Sequence, residues 1–114
     1  MMNVIICGGR DWWGEYQDVQ NALLLLGVGA PSAVLSGCCA GADYFGASWA
    51  LLNRIQVIKF HPLWAKHGRA AGPIRNSAMV AEADAVIAFP TPGSKGTWDT
   101  IRKALKKGIP VVVG

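Results

Sequence analysis

The sequence predicts an α/β fold, a three-layer Rossmann-like domain in which helices cover both faces of a parallel sheet of about five strands. Three observations lead to this prediction. Short apolar runs alternate along the chain with segments whose apolar residues recur at helical spacing. The runs are continuously apolar, as in strands that are buried on both faces. Three of the runs end in glycine-rich turns, and the 114 residues suffice for one domain over positions 1–114.

The first half of the chain predicts two strands, each followed by a helix. Asn3–Cys7 is rich in β-branched residues and is followed by two glycines, as expected of a buried first strand. Apolar residues on one face predict a helix over Glu15–Leu26, which Gly27 ends. The run Ala33–Ser36 predicts the second strand, and the apolar spacing within Ala42–Asn53 predicts the second helix.

The second half continues the alternation after one irregular segment. Gln56–Phe60 predicts the third strand. The polar and aromatic segment His61–Gly72 shows no period, and we expect a long loop that acts as a functional flap. Pro73 suits the first turn of a helix that reaches Ala83. The remaining predicted elements are the strand Ala85–Phe89, the helix Trp98–Lys107, which Gly108 ends, and the strand Pro110–Val113.

The order of the strands places a ligand pocket. Right-handed crossovers predict the order 3-2-1-4-5, and ligands of such sheets bind at the carboxyl ends of the strands where the order reverses, here strands one and four. Glycine-rich turns follow three strands, in Cys7–Arg10, Ser36–Asp43 and Phe89–Thr97. Glycine lets backbone approach a ligand closely, and the N–H groups that begin a helix attract phosphate. The three turns predict one nucleotide pocket, with ordinary turn geometry as the alternative.

Side chains near these turns are candidates for contacts with the parts of a nucleotide. The hydroxyls of Ser36 and Thr97 suit phosphate oxygens, although either also suits a helix or turn cap. The guanidinium groups of Arg10 and Arg75 offer bidentate phosphate contacts, unless they are simply solvated. Asp43 is a candidate acceptor for a ribose hydroxyl, although a helix start favours a carboxylate in any case. The tryptophans in predicted loops, which would stack on a base or pack at an interface, are Trp12, Trp13 and Trp64.

Composition limits the partners and the compartment. Hydrophobic residues make up 52% of the chain and charged residues 16%, which predicts a homodimer or a higher homo-oligomer that hides apolar surface. The net charge of +4 fits an anionic ligand, while no basic stripe demands nucleic acid as a partner. The three cysteines lack disulfide and metal spacing, and no apolar run reaches membrane-spanning length. We therefore expect a cytoplasmic protein with no membrane partner.

Motifs for ATP hydrolysis and for metal binding are missing from the sequence. It contains no GxSxG, no GxGxxG and no Walker loop that ends in lysine. His61 and His67 flank Trp64, but their spacing is poor for metal ligation and no carboxylate accompanies them. The sequence therefore predicts neither ATP hydrolysis nor a metal site.

Four motifs, in their order along the chain, resemble those of the SLOG superfamily. They are GGRDW at Gly8–Trp12, SGCCAGAD at Ser36–Asp43, AGPIRNSAM at Ala71–Met79 and PGSKGT at Pro92–Thr97. The resemblance spans nearly the whole chain and is closest to the small YspA-related proteins of bacteria and their phages. It implies a Rossmann-like fold that binds nucleotides or NAD-derived molecules such as ADP-ribose derivatives, and it implies no required cofactor. The turns and the resemblance together predict as ligand-binding residues Gly8, Gly9, Arg10, Trp12, Ser36, Gly37, Gly41, Asp43, Trp64, Arg75, Asn76, Pro92, Gly93, Ser94, Gly96 and Thr97.

The chain departs from the signature of the LOG enzymes, which cleave nucleoside monophosphates. Arg75 matches the arginine of their RKxxM-like segment, but Thr100 stands where their PGGxGTxxE motif ends in glutamate. Glycosidic cleavage needs a carboxylate near the anomeric carbon, and threonine supplies none. Asp99, one residue earlier, lies about 100° round the helix. The comparison with these enzymes therefore favours binding without cleavage.

The resemblance leads to one expected function and two alternatives. We expect a protein that senses or sequesters a nucleotide-derived signal, and its most specific form is a phage anti-defence sponge in the host cytoplasm. The first alternative is a LOG-like phosphoribohydrolase in which Arg75 and Asp99 act as the catalytic pair. The second alternative is a module that binds single-stranded nucleic acid, since the superfamily includes a DNA-processing relative.

Overall fold

A computed structural model describes residues 2–27, 29–37 and 41–114, and its centre is a parallel five-stranded sheet. The strands lie in the order β3-β2-β1-β4-β5, and every neighbouring pair is parallel. The predicted fold class and strand order are confirmed. Cys38, Cys39 and Ala40 of the second glycine turn lie outside the described residues. The strands are Asn3–Gly8 (β1), Ala33–Ser36 (β2), Gln56–Lys59 (β3), Ala85–Phe89 (β4) and Val111–Val113 (β5).

Helices pack on both faces of the sheet. They are Tyr16–Leu26 (α1), Ala42–Leu52 (α2), Trp64–His67 (α3), Ala71–Glu82 (α4) and Lys95–Lys107 (α5), with a 3-10 turn at Gly68–Ala70. Buried residues of α1 and α2 pack with Val4 and Ile6 of β1, whereas those of α4 and α5 pack with Ile5 and Cys7. Successive side chains of a strand point to opposite faces, so β1 is buried on both sides, which explains its continuous apolar run. Among residues 2–27, 29–37 and 41–114, no helix combines the length and the apolar character needed to cross a membrane.

The segment between β3 and α4 differs from its prediction. Instead of one long loop over 61–72, it contains α3, the 3-10 turn and the first residues of α4. The two helical pieces are four and three residues long, too short for a helical period to show in the sequence. The prediction of a loop is therefore wrong for most of this segment. Pro73 lies in the first turn of α4, as predicted.

The last helix begins three residues earlier than predicted, at Lys95 rather than at Trp98. Glycine disfavours helix, so Gly96 marks a turn by its propensity alone. The tight turn over residues 91–94 already closes before Lys95, and the N–H of Trp98 donates to the carbonyl oxygen of Ser94 at 3.3 Å. Gly96 and Thr97 consequently belong to the first turn of α5 rather than to the loop before it.

Candidate functional site

A cavity of about 580 Å³ opens at the carboxyl ends of β1 and β4, where the strand order reverses. Parallel sheets place their ligands at this position. The cavity is bounded by the turns after β1 and β4, by the first turns of α4 and α5, and by α3 with the 3-10 turn. The predicted residues that line it are Gly8, Gly9, Arg10, Asp43, Trp64, Arg75, Asn76, Pro92, Gly93, Ser94, Gly96 and Thr97.

The backbone of the first glycine turn is already bonded within the protein. The N–H of Gly9 donates to the carbonyl oxygen of Phe89 at 3.1 Å, which extends the pairing of β1 with β4. The N–H of Gly8 donates to Asp43 Oδ1 at 3.3 Å. Neither N–H group is left to bind a phosphate, although both glycines border the cavity.

Glycines in the first two turns allow the turns to pack closely against one another. A Cβ atom on Gly9 would collide with the side chain of Thr91 in the third turn. A Cβ atom on Gly41, whose φ is 73°, would collide with the backbone oxygen of Gly9. Close packing between turns therefore explains these two glycines, and Gly41 does not line the cavity.

The third turn places the start of α5 at the edge of the cavity. Gly93 has a φ of 81°, as a type II turn requires at its third position, and the N–H of Ser94 donates to the carbonyl oxygen of Thr91 at 3.0 Å. Ser94 Oγ bonds both backbone polar groups of Thr91, at 2.6 and 2.9 Å. Within the described residues, the N–H groups of Gly96 and Thr97 pair with no protein acceptor. Because they also lie at the positive end of the helix dipole, these two groups are placed to bind an anion.

Arg75 is held in place by three hydrogen bonds. Its Nη1 donates to the carbonyl oxygens of Gly37 at 2.5 Å and of Phe60 at 3.4 Å, and its Nε donates to Asn76 Oδ1 at 2.8 Å. A Cβ on Gly37 would lie 2.8 Å from that Nη1 and 2.9 Å from Asp43 Oδ2, so Gly37 leaves room for both charged groups. Of the three guanidinium nitrogens, Nη2 alone has no hydrogen bond within the described part of the chain.

A network of polar side chains links Arg75 to α5. Asn76 is 3% exposed, and its Nδ2 donates to Asp99 Oδ2 at 3.0 Å and to the carbonyl oxygen of Gly96 at 3.2 Å. Lys103 Nζ donates to the same Asp99 oxygen at 2.8 Å. Burial alone would raise the pKa of Asp99, but the hydrogen bonds from Lys103 and Asn76 and the charge of Lys103 outweigh this effect and lower the pKa. Asp99 is therefore an ionised carboxylate at neutral pH, and its Oδ2 accepts two hydrogen bonds.

Thr100 occupies the wall of the cavity where a LOG enzyme would have its glutamate. Its side chain is 2% exposed, and its hydroxyl donates to the carbonyl oxygen of Gly96 at 3.2 Å, one turn earlier in α5. Position 100 therefore has no carboxylate, and its hydroxyl already donates a hydrogen bond to the helix backbone.

The two tryptophans predicted to bind a base lie in different places. Trp64 is 53% exposed and lines the cavity from α3. Trp12 lies outside the cavity, stacked on Phe89 with ring centroids 4.5 Å apart and in edge contact with Phe45 at 5.3 Å. The structure therefore shows Trp12 in a packing role, because its loop folds back over the face covered by α1 and α2. Ser36 is 2% exposed and, like Gly37, does not line the cavity.

Several lining residues escaped the sequence analysis. Asp11 and Thr91 face each other across the first and third turns, and Thr91 Oγ1 donates to Asp11 Oδ1 at 2.6 Å, which lowers the pKa of Asp11. Arg102 follows Asp99 by three positions on the same helix, a spacing visible in the sequence. No such spacing marks Arg69 in the sequence, because this residue reaches the cavity only through the fold of residues 61–72. The additional polar or charged residues are Asp11, Arg69, Thr91, Lys95 and Arg102.

Two buried titratable groups lie at the floor of the cavity. Burial raises the pKa of the Cys7 thiol, the charge of Asp43 raises it further, and the charge of Arg75 lowers it in part. Cys7 is consequently a neutral thiol at physiological pH. Among the residues that the structure describes, no three histidine, cysteine or acidic side chains are grouped as metal ligands, and the prediction of no metal site stays a prediction.

Comparisons with known proteins agree with the motifs and the fold. The profile of the YAcAr family, described as the YspA, cpYpsA-related SLOG family, matches residues 2–67. The chain is 37% identical over 120 residues to the gene 61 protein of Mycobacterium phage D29, and the match covers 98% of this chain and 95% of that relative.

The fold is also similar to a solved structure. The X-ray structure of DNA processing protein A (DprA) from Streptococcus pneumoniae superposes with a TM-score of 0.72 at 17% identity, over 98% of this chain. The chain spans 49% of the length of that DprA chain, and at this identity the likeness concerns the fold alone. The order of the strands, the four motifs and the matching profile lead to one conclusion: the chain belongs to the YspA, cpYpsA-related SLOG family.

Proposed function

We propose that the protein binds a nucleotide, or a molecule derived from NAD or ADP-ribose, in this cavity and holds it without cleaving it. The observation that carries the proposal is the first turn of α5, where the N–H groups of Gly96 and Thr97 border the cavity and have no acceptor within the described residues. A phosphate at a helix start is bound by such groups and by the helix dipole. Membership of the SLOG family supports a nucleotide as the class of ligand.

The glycine in this turn supports a ligand in close contact. A Cβ on Gly96 would meet no protein atom within 4 Å, and the φ of Gly96 is not positive. Glycine within a helix costs about 0.5–1 kcal/mol relative to alanine, and here neither packing nor backbone strain requires it. The close approach of a bound group to the helix is the remaining reason for a glycine at this position.

Other groups on the walls match the remaining parts of a nucleotide. Trp64, half exposed, offers an aromatic face on which a base stacks. Arg75 Nη2 and the side chains of Arg10 and Lys95 supply positive charge for phosphate oxygens. Asp43 lies at the floor of the same cavity, where it serves as the acceptor for a ribose hydroxyl.

The state of the carboxylates argues against cleavage. A glycosidase-type carboxylate must face the anomeric carbon. Asp99 Oδ2 accepts from both Asn76 and Lys103, and its Oδ1 lies 3.8 Å from Arg102 Nη2. Thr100, at the position of the LOG glutamate, has no charge to offer. The site therefore has the groups to hold a nucleotide, whereas it has no carboxylate at the position of the LOG glutamate, and the charge of Asp99 is paired with Lys103 and Arg102.

The binding test compares two lysines of the same helix. Calorimetric titration with nucleoside mono- and diphosphates should give saturable binding to the wild-type protein. Lys95→Gln, in the cavity, should weaken that binding about two- to fivefold, the effect of one exposed charge pair. Lys106→Gln, in the last turn of α5 and outside the cavity, is the matched control and should leave it unchanged. Equal losses in both variants, or no binding to folded wild-type protein, would refute the proposal.

A LOG-like hydrolase is the second candidate, and one observation favours it. Asn76 bridges the two residues of the alternative catalytic pair, since it accepts from Arg75 at 2.8 Å and donates to Asp99 at 3.0 Å. Release of free base from nucleoside monophosphates by the wild-type protein, lost in Asp99→Asn, would establish this candidate over simple binding.

The wider role of such a binding protein is sequestration or sensing of a nucleotide signal, in an oligomer. The relative in Mycobacterium phage D29 supports a phage setting, in which the protein would act as an anti-defence sponge. Exposed apolar side chains support the oligomer, and the most exposed are Trp13 at 88% and Leu24 and Leu25 at 77%. Light scattering coupled to size exclusion should therefore report a mass above 12.1 kDa, and a monomer at all concentrations would refute the oligomer.

A further inference from the structure

We propose that the cavity holds a second anionic group of its ligand between Arg69 and Arg102, so that it prefers nucleoside diphosphates to monophosphates. This inference rests on the proposed nucleotide binding and adds the number of phosphate groups that the site takes. It concerns two arginines outside the four sequence motifs.

The charge of the cavity favours a ligand with more than one anionic group. Its lining includes five cationic side chains and three carboxylates, an excess of two positive charges. All three carboxylates accept hydrogen bonds from protein groups. Such an excess in a concave site attracts a multiply charged anion more strongly than a singly charged one. The cationic residues are Arg10, Arg69, Arg75, Lys95 and Arg102.

Arg69 and Arg102 lie on two walls of the cavity that Lys103 joins by hydrogen bonds. Lys103 Nζ donates to the carbonyl oxygen of Pro73 at 2.7 Å and to Asp99 Oδ2 at 2.8 Å. This bridge joins the first turn of α4 to the middle of α5. Arg69 lies in the 3-10 turn that runs directly into α4, and Arg102 directly precedes Lys103. Both arginines line the cavity beside the bridge.

The guanidinium groups of Arg69 and Arg102 both keep donors for a ligand. The Arg102 side chain is 69% exposed, and its Nη2 is 3.8 Å from Asp99 Oδ1, too far for a hydrogen bond. Lys103 Nζ bonds the other oxygen of this carboxylate, Asp99 Oδ2, at 2.8 Å. Arg69 is exposed and forms no ion pair with any residue in 2–27, 29–37 or 41–114. A phosphate group between the two would receive paired donors from each.

Arg102 lies further along α5 than the N–H groups of Gly96 and Thr97. From Gly96 to Arg102 the helix rises about 9 Å, at 1.5 Å per residue. The Arg102 side chain leans back toward the start of the helix and shortens that gap. A single phosphate bound by the N–H groups of Gly96 and Thr97 leaves the two arginines unpaired. A second phosphate attached to the first shortens the distance to the arginines, so a ligand with two linked phosphates gains a contact that a monophosphate lacks.

The experiment measures the preference for a second phosphate. Calorimetric titrations use the mono- and diphosphates of adenosine, guanosine, cytidine and uridine on wild-type protein and on the double variant Arg69→Gln/Arg102→Gln. The wild type should bind the diphosphate of its preferred base at least tenfold more tightly than the monophosphate. In the double variant the ratio should fall below twofold, because the affinity for the diphosphate should fall at least fivefold more than the affinity for the monophosphate.

A second double variant controls for the loss of net charge. Lys59→Gln/Lys106→Gln removes two exposed cations that do not line the cavity and should keep the full preference. Equal wild-type affinities for mono- and diphosphates would overturn the inference, and so would a preference that survives in the arginine variant. In both cases nucleotide binding itself would stand. If no nucleotide binds to the wild type, the proposed function fails and this inference fails with it.

Discussion

Replacing Gly96 with alanine should make the protein more stable and a weaker binder at once. The residue lies in the first turn of α5, its φ is not positive, and an added Cβ meets no protein atom within 4 Å. Gly→Ala at such a position stabilises a fold by about 0.4–1 kcal/mol, mainly because the unfolded chain loses freedom. For a domain of this size, the expected rise in Tm is about 2–4 °C.

The effect of the same change on binding has the opposite sign. If a phosphate contacts the N–H groups of Gly96 and Thr97, the added methyl group crowds it. Crowding of this kind costs about 1–3 kcal/mol, which corresponds to a loss of affinity of about 5- to 150-fold. The two measurements are thermal unfolding by circular dichroism and titration calorimetry with the tightest-binding nucleotide.

Gly108→Ala is the matched control in the same helix. Gly108 ends α5 with a φ of 86° and lies outside the cavity, so alanine there adopts a strained left-handed backbone. The expected cost is about 1–2 kcal/mol of stability, with nucleotide affinity unchanged at 25 °C. A Gly96→Ala variant that binds as tightly as wild type would refute the close approach of a ligand to this turn. A destabilised Gly96→Ala variant would contradict the open space that the structure shows beside Gly96.

Three further predictions concern the surroundings of the cavity. Because the folded-state pKa of Asp99 is lowered, its stabilising effect is complete above the unfolded pKa of about 3.9 and is lost as pH falls through the folded value. Asp99→Asn should therefore lower the free energy of unfolding, measured with urea at pH 7, by about 1–3 kcal/mol. The difference from wild type should shrink in acid. A difference that does not depend on pH would contradict the pairing of Asp99 with Lys103 and Asn76. Trp12→Ala should lower the free energy of unfolding by about 3 kcal/mol and leave nucleotide affinity intact. Trp64→Ala should change the free energy of unfolding by less than about 0.5 kcal/mol and weaken nucleotide binding. Weaker binding in Trp12→Ala together with a loss of stability in Trp64→Ala would contradict the placement of the two side chains. Thr91→Val removes the hydrogen bond to Asp11 and should raise the pKa of that carboxyl in an NMR titration, and an unchanged pKa would show that the bond is absent in solution.

The sheet could be predicted from the sequence because its signals are local and redundant. Ala33–Ser36 and Ala85–Phe89 have the bounds that their apolar runs predicted, since polar, glycine or proline residues follow each run. The strand order followed from the handedness of crossover connections, which depends on chain geometry rather than on particular side chains. The position of the cavity followed in turn from the strand order.

The parts that sequence reasoning missed depend on tertiary contacts. Glycine propensity placed Gly96 in a loop, and only the closed turn before Lys95 shows that the residue belongs to a helix. Gly9 and Gly41 have the sequence character of a phosphate loop, yet each makes room for a neighbouring turn. Trp12 was a candidate ligand-binding residue because it lies in a loop, and the position of Phe89, far away in sequence, gives it a packing partner.

The candidate site was predicted best where one short segment supplies it. Every residue from Pro92 to Thr97 lines the cavity, because a turn and a helix start share one stretch of chain. Arg69 could not be predicted, since it reaches the cavity through a segment whose helices are too short to leave a period in the sequence.

The fate of a bound nucleotide tests the central claim most directly. Wild-type protein is incubated with the nucleotide that binds most tightly, separated from free ligand and denatured by heat, and the released molecules are identified by mass spectrometry. The account predicts intact nucleotide in an amount that matches the occupied sites, with no free base beyond a protein-free control. Free base that accumulates in proportion to protein and time would contradict it and would make the cavity an active site.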